Sequence, residues 1–177
     1  MTEDSKWYLI ELRDAIPLYV YEVLLSVFCL GVISFMALEL KKAYRRITLL
    51  FLIEYIVLIY CSTFIFRGVN DIRKYNYHPF WSYSDTSLFV ENVMNIVVFV
   101  PIGLLLAMGI SRLKWWHVLL IGAGISVSIE ALQFVFRKGF SEVDDLIHNI
   151  LGCLLGYGAY RMVAWFIRNI RTLGYSE

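Results

Sequence analysis

Residues 89–110 read FVENVMNIVVFVPIGLLLAMGI, and Glu91 is the only ionisable group among them. A helix crossing a bilayer needs about 20 mostly apolar residues at 1.5 Å per residue. This stretch meets that length, and its one charge and its two amides, Asn92 and Asn95, sit in the first turns. Pro101 lacks an N–H and clashes with the carbonyl of Val97, so the sequence predicts a kinked transmembrane helix here.

Four further runs have the same character: 17–38 with Glu22 near its start, 47–66 with Glu54 inside it, 115–136, and 146–167. Only Ser111, Arg112 and Lys114 supply polarity between 89–110 and 115–136, so these two form a hairpin. The predicted fold class is therefore all-α, a polytopic integral membrane bundle of about five transmembrane helices. Residues 1–16, where Trp7, Tyr8, Leu9, Leu12 and Ile16 recur at near-helical spacing, read as an interfacial segment. Residues 17–46 hold the first span and an inner loop, 47–167 the main transmembrane domain, and 168–177 a C-terminal cytoplasmic tail.

Composition agrees. Hydrophobic residues make up 59% of the 177, charged residues 18%, and mean hydropathy is +0.65. An average soluble domain carries roughly 25% charged residues. The net charge of +1 creates no field for nucleic acid. Cys29, Cys61 and Cys153 lie in three different apolar runs, which speaks against zinc or redox motifs. The start, MTEDSKWYLIELRDAIP, does not read as a cleaved signal peptide. No cofactor or metal is called for, and His78, His117 and His148 have no ligand spacing.

Lys and Arg set the predicted orientation. With the N-terminus outside, nine fall on inner segments (Lys41, Lys42, Arg45, Arg46, Arg112, Lys114, Arg161, Arg168 and Arg171) and seven on outer ones. The bias favours N-out, C-in. The 41–46 cluster reads as a cytoplasmic anchor, with an anionic-lipid site as the alternative. The long loop after Arg67 is then outside, studded with Tyr75, Tyr77, Phe80, Trp81 and Tyr83, which suit an interface belt or a ligand platform.

The polar residues of the spans gather at that outer end. Ser126, Glu130, Gln133 and Arg137 follow at steps of four, three and four and share a helix face. Asp145, Asn149, Gly152 and Gly156 do the same on the last helix. The candidate polar pocket is Arg67, Glu91, Asn92, Asn95, Ser126, Glu130, Gln133, Arg137, Asp144, Asp145 and Asn149. Glu130 lies roughly 10 Å below the helix end, at 1.5 Å per residue, and should be paired with Arg67 or Arg137. The same residues also suit a purely structural network. Ser141-x-x-Asp144 resembles a capping box, and the adjacent acids Asp144 and Asp145 leave a divalent cation open as the lesser alternative. Glu54 reads as paired with a basic group near the inner face. Gly152-x-x-x-Gly156 predicts close helix packing.

Taken together these stretches resemble the VanZ-like family. Asn95-Ile-Val-Val-Phe99-Val-Pro101-Ile-Gly103 resembles its N-x-x-x-F-x-P-x-G signature. Ser126-x-x-x-Glu130-x-x-Gln133 resembles its second, and Gly139-Phe140-Ser141-Glu142-Val143-Asp144-Asp145-Leu146-x-x-Asn149-x-x-Gly152-x-x-x-Gly156-Tyr157 its third. Arg67 followed by Asn76-Tyr77-His78-Pro79-Phe80 is similar to the family's R…N-x-x-P-F region, with His78 where an apolar residue is commoner. The resemblance covers roughly residues 47–165.

The family is named for a protein that raises resistance to teicoplanin, a lipid-tailed glycopeptide antibiotic. The resemblance implies a multi-pass protein of the bacterial cell membrane whose partners are membrane lipid and a lipoglycopeptide antibiotic or a lipid-linked cell-wall precursor. It names no reaction. Two functions compete: a non-catalytic factor at the outer leaflet, and a small intramembrane enzyme with Glu130 or Asp144 as acid or base and Arg67 or Arg137 holding phosphate. A transporter ranks last, because five helices without broken-helix repeats would have to oligomerise.

Overall fold

The computed structural model describes residues 44–65, 68–84 and 86–173. Helix α1 (Tyr44–Tyr60) continues into a π-helical turn, Cys61–Ile65. A loop follows, carrying the two-residue strand β1 (Tyr75–Asn76) and a 3-10 turn, Trp81–Ser84. Helices α2 (Thr86–Gly109) and α3 (Trp115–Phe136) form the expected hairpin. Strand β2 (Ser141–Glu142) leads into α4 (Val143–Leu173).

Among the described residues, four stretches are long and apolar enough to cross a membrane: Tyr44–Phe64, Leu88–Gly109, Trp115–Phe136 and Val143–Ile170. They match four of the five expected runs. The fifth, 17–38, lies outside the described residues, as do the interfacial segment 1–16 and Arg67. Helix α4 runs past the expected end of its span into the expected tail, and no Gly or Pro stands between 159 and 173 to stop it.

Polar side chains share the interior with an apolar core, while large apolar residues cover the outside. The buried set includes Thr48, Ser62, Ser82, Asn92, Ser126, Gln133, Asp144, His148 and Asn149. Leu50, Ile53 and Val57 on α1, Leu120 and Val127 on α3, and Leu155 and Met162 on α4 face outward. Contiguous exposed apolar surface of this kind is costly in water and is at home in lipid. Glu54 also faces outward on α1, eight residues, about two turns, past Arg46, the basic residue nearest it in sequence.

Helices α2 and α4 make the principal seam. A Cβ placed on Gly156 would stand 1.9 Å from the carbonyl oxygen of Val100, and one on Gly103 would stand 1.8 Å from that of Cys153. Backbone therefore lies directly on backbone, and the Gly152-x-x-x-Gly156 spacing packs as expected, with Gly103 as its counterpart. Helix α1 closes the other side of α2 through Leu52, Tyr55 and Ile59, and the Tyr55 hydroxyl donates to the carbonyl of Val98 at 2.8 Å. This puts a donor one residue from the carbonyl that Pro101 deprives of its partner.

The bundle ends differ. At one, α1 and α3 begin and α2 and α4 finish. At the other, the 68–84 loop lies over the helix ends, hydrogen-bonded to the chain around 137–142. Strands β1 and β2 pair in parallel, Tyr75 with Ser141 and Asn76 with Glu142, and Val69 bridges Lys138 antiparallel. The Asn70 side chain donates to the Gly139 carbonyl at 2.6 Å. Helix α3 stops at Arg137, whose φ of 58° is left-handed.

Candidate functional site

Asp144 organises the loop-covered end. It opens α4 and is fully buried. One carboxylate oxygen accepts the Phe80 N–H at 2.6 Å; the other accepts the Ser82 N–H at 3.2 Å and its hydroxyl at 2.5 Å. Three donors from the 80–82 turn thus converge on one carboxylate. Phe80 has a φ of 63°, unfavourable for a residue with a bulky side chain. The charge-assisted bond to its N–H helps hold it there.

From Ser82 the network spreads into the bundle. Asn92 on α2 donates to the Ser82 hydroxyl at 2.8 Å, and Asn95, one turn deeper, donates to Asp145 at 2.6 Å. Asn149 on α4 donates to Ser126 on α3 at 2.9 Å. His148 Nδ1 lies 2.5 Å from the carbonyl of Asp144, and its Nε2 lies 2.8 Å from the Tyr83 hydroxyl. A carbonyl only accepts, so Nδ1 carries a proton and donates there. Gln133 donates to the Thr63 carbonyl in the π-helical turn at 3.2 Å. The carbonyl oxygens of Gln133 and Asn149 are buried without a hydrogen-bond partner.

Beside this network lies a groove of about 340 Å³ between α3 and α4, floored by β2. Val127, Ala131, Phe134, Val143 and Leu146 make it mostly apolar, with Tyr77 at its loop side. Two carboxylates border it, Glu130 and Glu142. Glu130 accepts the Glu142 backbone N–H at 2.9 Å, and Glu142 accepts the Trp81 indole N–H at 3.1 Å. Val127 and Ala131 are exposed on the membrane-facing side, so the groove is open to lipid.

The structure thus places Asn92, Asn95, Ser126, Asp144, Asp145 and Asn149 of the expected pocket in three hydrogen-bonded sets: Asp144 and Asn92 through Ser82, Asn95 with Asp145, and Ser126 with Asn149. Glu130 instead lines the neighbouring groove, and Gln133 reaches α1. Glu91 points outward. Arg137 does not pair with Glu130: its left-handed backbone takes its side chain off the α3 face, and the exposed guanidinium donates to the Asp71 carbonyl at 3.2 Å. The capping box at Ser141 does not form. Ser141 is extended, its N–H bonded to the Lys74 carbonyl, and the Asp144 carboxylate faces the loop. The adjacent acids diverge, Asp144 to the loop and Asp145 to α2. Sequence reasoning missed Ser82, read Tyr83 only as part of the loop's interface belt or ligand platform, and gave Glu142 and His148 no place in the pocket. Their sole sequence signal was proximity to the Pro79-Phe80 and Asp144-Asp145 motifs.

Apolar outward faces around an interior that holds hydrogen-bonded polar groups define a helical membrane protein. The family described as VanZ/LLP1 matches residues 51–166, and the chain belongs to it. Among known proteins it is similar to "Protein VanZ" of Enterococcus faecium, 28% identical over 95 residues. That match takes in 51% of this chain and 59% of the relative's length. No solved structure matches the chain.

Proposed function

We propose that this chain is a non-catalytic, multi-pass protein of the bacterial cell membrane that engages a lipid-tailed envelope molecule at the outer leaflet. A teicoplanin-type lipoglycopeptide, to which it lowers susceptibility, is the leading candidate. The observation that carries this reading is the groove between α3 and α4. Its apolar walls suit an acyl chain arriving from lipid, and its volume lies within the roughly 300–1,000 Å³ range of ligand pockets. Glu130 and Glu142 at its border offer acceptors to a polar headgroup. The likeness to the Enterococcus faecium protein supports the same direction, and the family resemblance supplies the antibiotic.

Asp144 suits a holding role, since its carboxylate is enclosed and faces three donors of its own loop. Glu130, the expected acid or base that lines the groove, keeps the intramembrane enzyme as the second reading.

The test is to fill the groove. Ala131→Trp, at an exposed position, should insert into membranes normally and abolish the protection against teicoplanin that the parent chain gives per inserted molecule. Glu130→Gln keeps shape and one acceptor, so a binding role predicts a loss of about tenfold or less. A catalytic acid or base contributes typically 10²–10⁴-fold, so Glu130→Gln would then be as inactive as Ala131→Trp. Full protection by Ala131→Trp would refute the groove.

A further inference from the structure

The opposite end of the bundle holds a second and larger cavity, about 580 Å³, between the start of α1, the α2–α3 turn and the last turns of α4. Arg45, Arg161 and Arg168 line it together with Tyr44, Tyr157 and Tyr160. Tyr157, Tyr160, Arg161, Ala164 and Arg168 recur at helical spacing and share one face of α4. Ala164, also at the wall, is the small residue between the two arginines and leaves room between them. Arg45 enters from the first turn of α1. The Arg161 guanidinium stands 6.0 Å from the centre of the Tyr157 ring, and the Tyr157 hydroxyl donates to the Leu113 carbonyl at 3.2 Å.

The charge is one-sided. Residues 44–53, 104–116 and 154–173 contain no Asp or Glu, while they contain Arg45, Arg46, Arg112, Lys114, Arg161, Arg168 and Arg171. Among the described residues no carboxylate lies on the wall of this cavity. Like charges facing one cavity repel, and an anion entering it relieves that repulsion. Guanidinium donors fit phosphoryl oxygens in a bidentate fork, and the Tyr44 and Tyr160 hydroxyls add neutral donors. Basic pockets between transmembrane helices on the cytoplasmic side suit anionic headgroups, and the distribution of Lys and Arg favours that side for this end.

We infer that the cavity walled by Arg45, Arg161 and Arg168 binds a negatively charged phosphoryl group, the chemistry shared by an anionic phospholipid headgroup and a free phosphate. This site is separate from the groove at the other end and does not depend on it.

The experiment is native mass spectrometry of the full chain released from detergent after incubation with phosphatidylglycerol or phosphatidylcholine. Phosphatidylglycerol adducts should survive collisional activation that strips phosphatidylcholine. Arg161→Gln with Arg168→Gln should lower phosphatidylglycerol retention at least tenfold, while Arg73→Gln at the opposite end should leave it unchanged. The three cavity arginines are exposed, so the double variant should melt with the parent. A second arm adds millimolar inorganic phosphate. Displacement of the lipid by phosphate identifies free phosphate as a ligand; persistence identifies the lipid headgroup. Both outcomes support the phosphoryl site. Equal retention of the two lipids, or undiminished phosphatidylglycerol retention by a folded double variant, would overturn it.

Discussion

The two ends of the bundle treat charge in opposite ways. At the loop-covered end, carboxylates are answered from within: Asp144 by Phe80 and Ser82, Asp145 by Asn95, Glu130 by the Glu142 N–H, and Glu142 by Trp81. At the far end three guanidiniums surround a cavity whose wall, among the described residues, carries no carboxylate. An internally satisfied network fixes a structure, since a buried polar group left unpaired costs about 1–3 kcal/mol. An unsatisfied cluster at a membrane surface leaves work for a ligand. The contrast teaches that polarity inside a membrane protein does not by itself mark a binding site. On this view the loop-covered network positions the apolar groove beside it, and that groove takes the ligand.

The largest effect that breaks the comparison comes from the seam on which both ends depend. Gly156→Leu would drive a side chain into the Val100 carbonyl, which a Cβ alone would approach to 1.9 Å. The expected outcome is loss of folded, inserted protein by fluorescence-detected size exclusion, so that both ends fail together. A smaller effect isolates the loop-covered end. Asp144→Asn keeps the shape but exchanges a charged acceptor for an amide that cannot accept all three donors. It should destabilise the protein by about 3 kcal/mol and expose the 68–84 loop to protease. The smallest effect belongs to the arginine end, where Arg168→Gln should change stability by no more than about 0.5 kcal/mol. A comparable drop for Arg168→Gln and Asp144→Asn would erase the distinction.

Much of this could be read from the residues alone, for a physical reason in each case. Apolar runs of about 20 residues state their own length requirement, and α1 to α4 lie where those runs predict. Small residues at a spacing of four announce a seam, as Gly152 and Gly156 do. Asn92, Asn95 and Asn149 were legible as a cluster because amides are rare and costly in lipid-embedded helices. Helical spacing failed where the helix itself stopped, as at Arg137, and where adjacent positions diverge by 100°, as at Glu91 and Asn92. The bonds of Ser82 to Asp144 and of Tyr83 to His148 were invisible because these partners lie more than 60 positions away, and no local period reports a loop folded over distant helix ends. The pairing of β1 with β2 was hidden for the same reason: each strand is two residues long.

The central claim is that these two ends face opposite sides of the membrane, the loop with its groove outside and the arginine cavity inside. Single cysteines placed at Tyr77 and at Ser111 in intact cells, treated with a membrane-impermeant maleimide, test it directly. The account predicts labelling at position 77 and none at 111 until the cells are opened. Labelling at 111 with protection at 77 would contradict it and would turn the groove toward the cytoplasm, out of reach of an antibiotic arriving from outside.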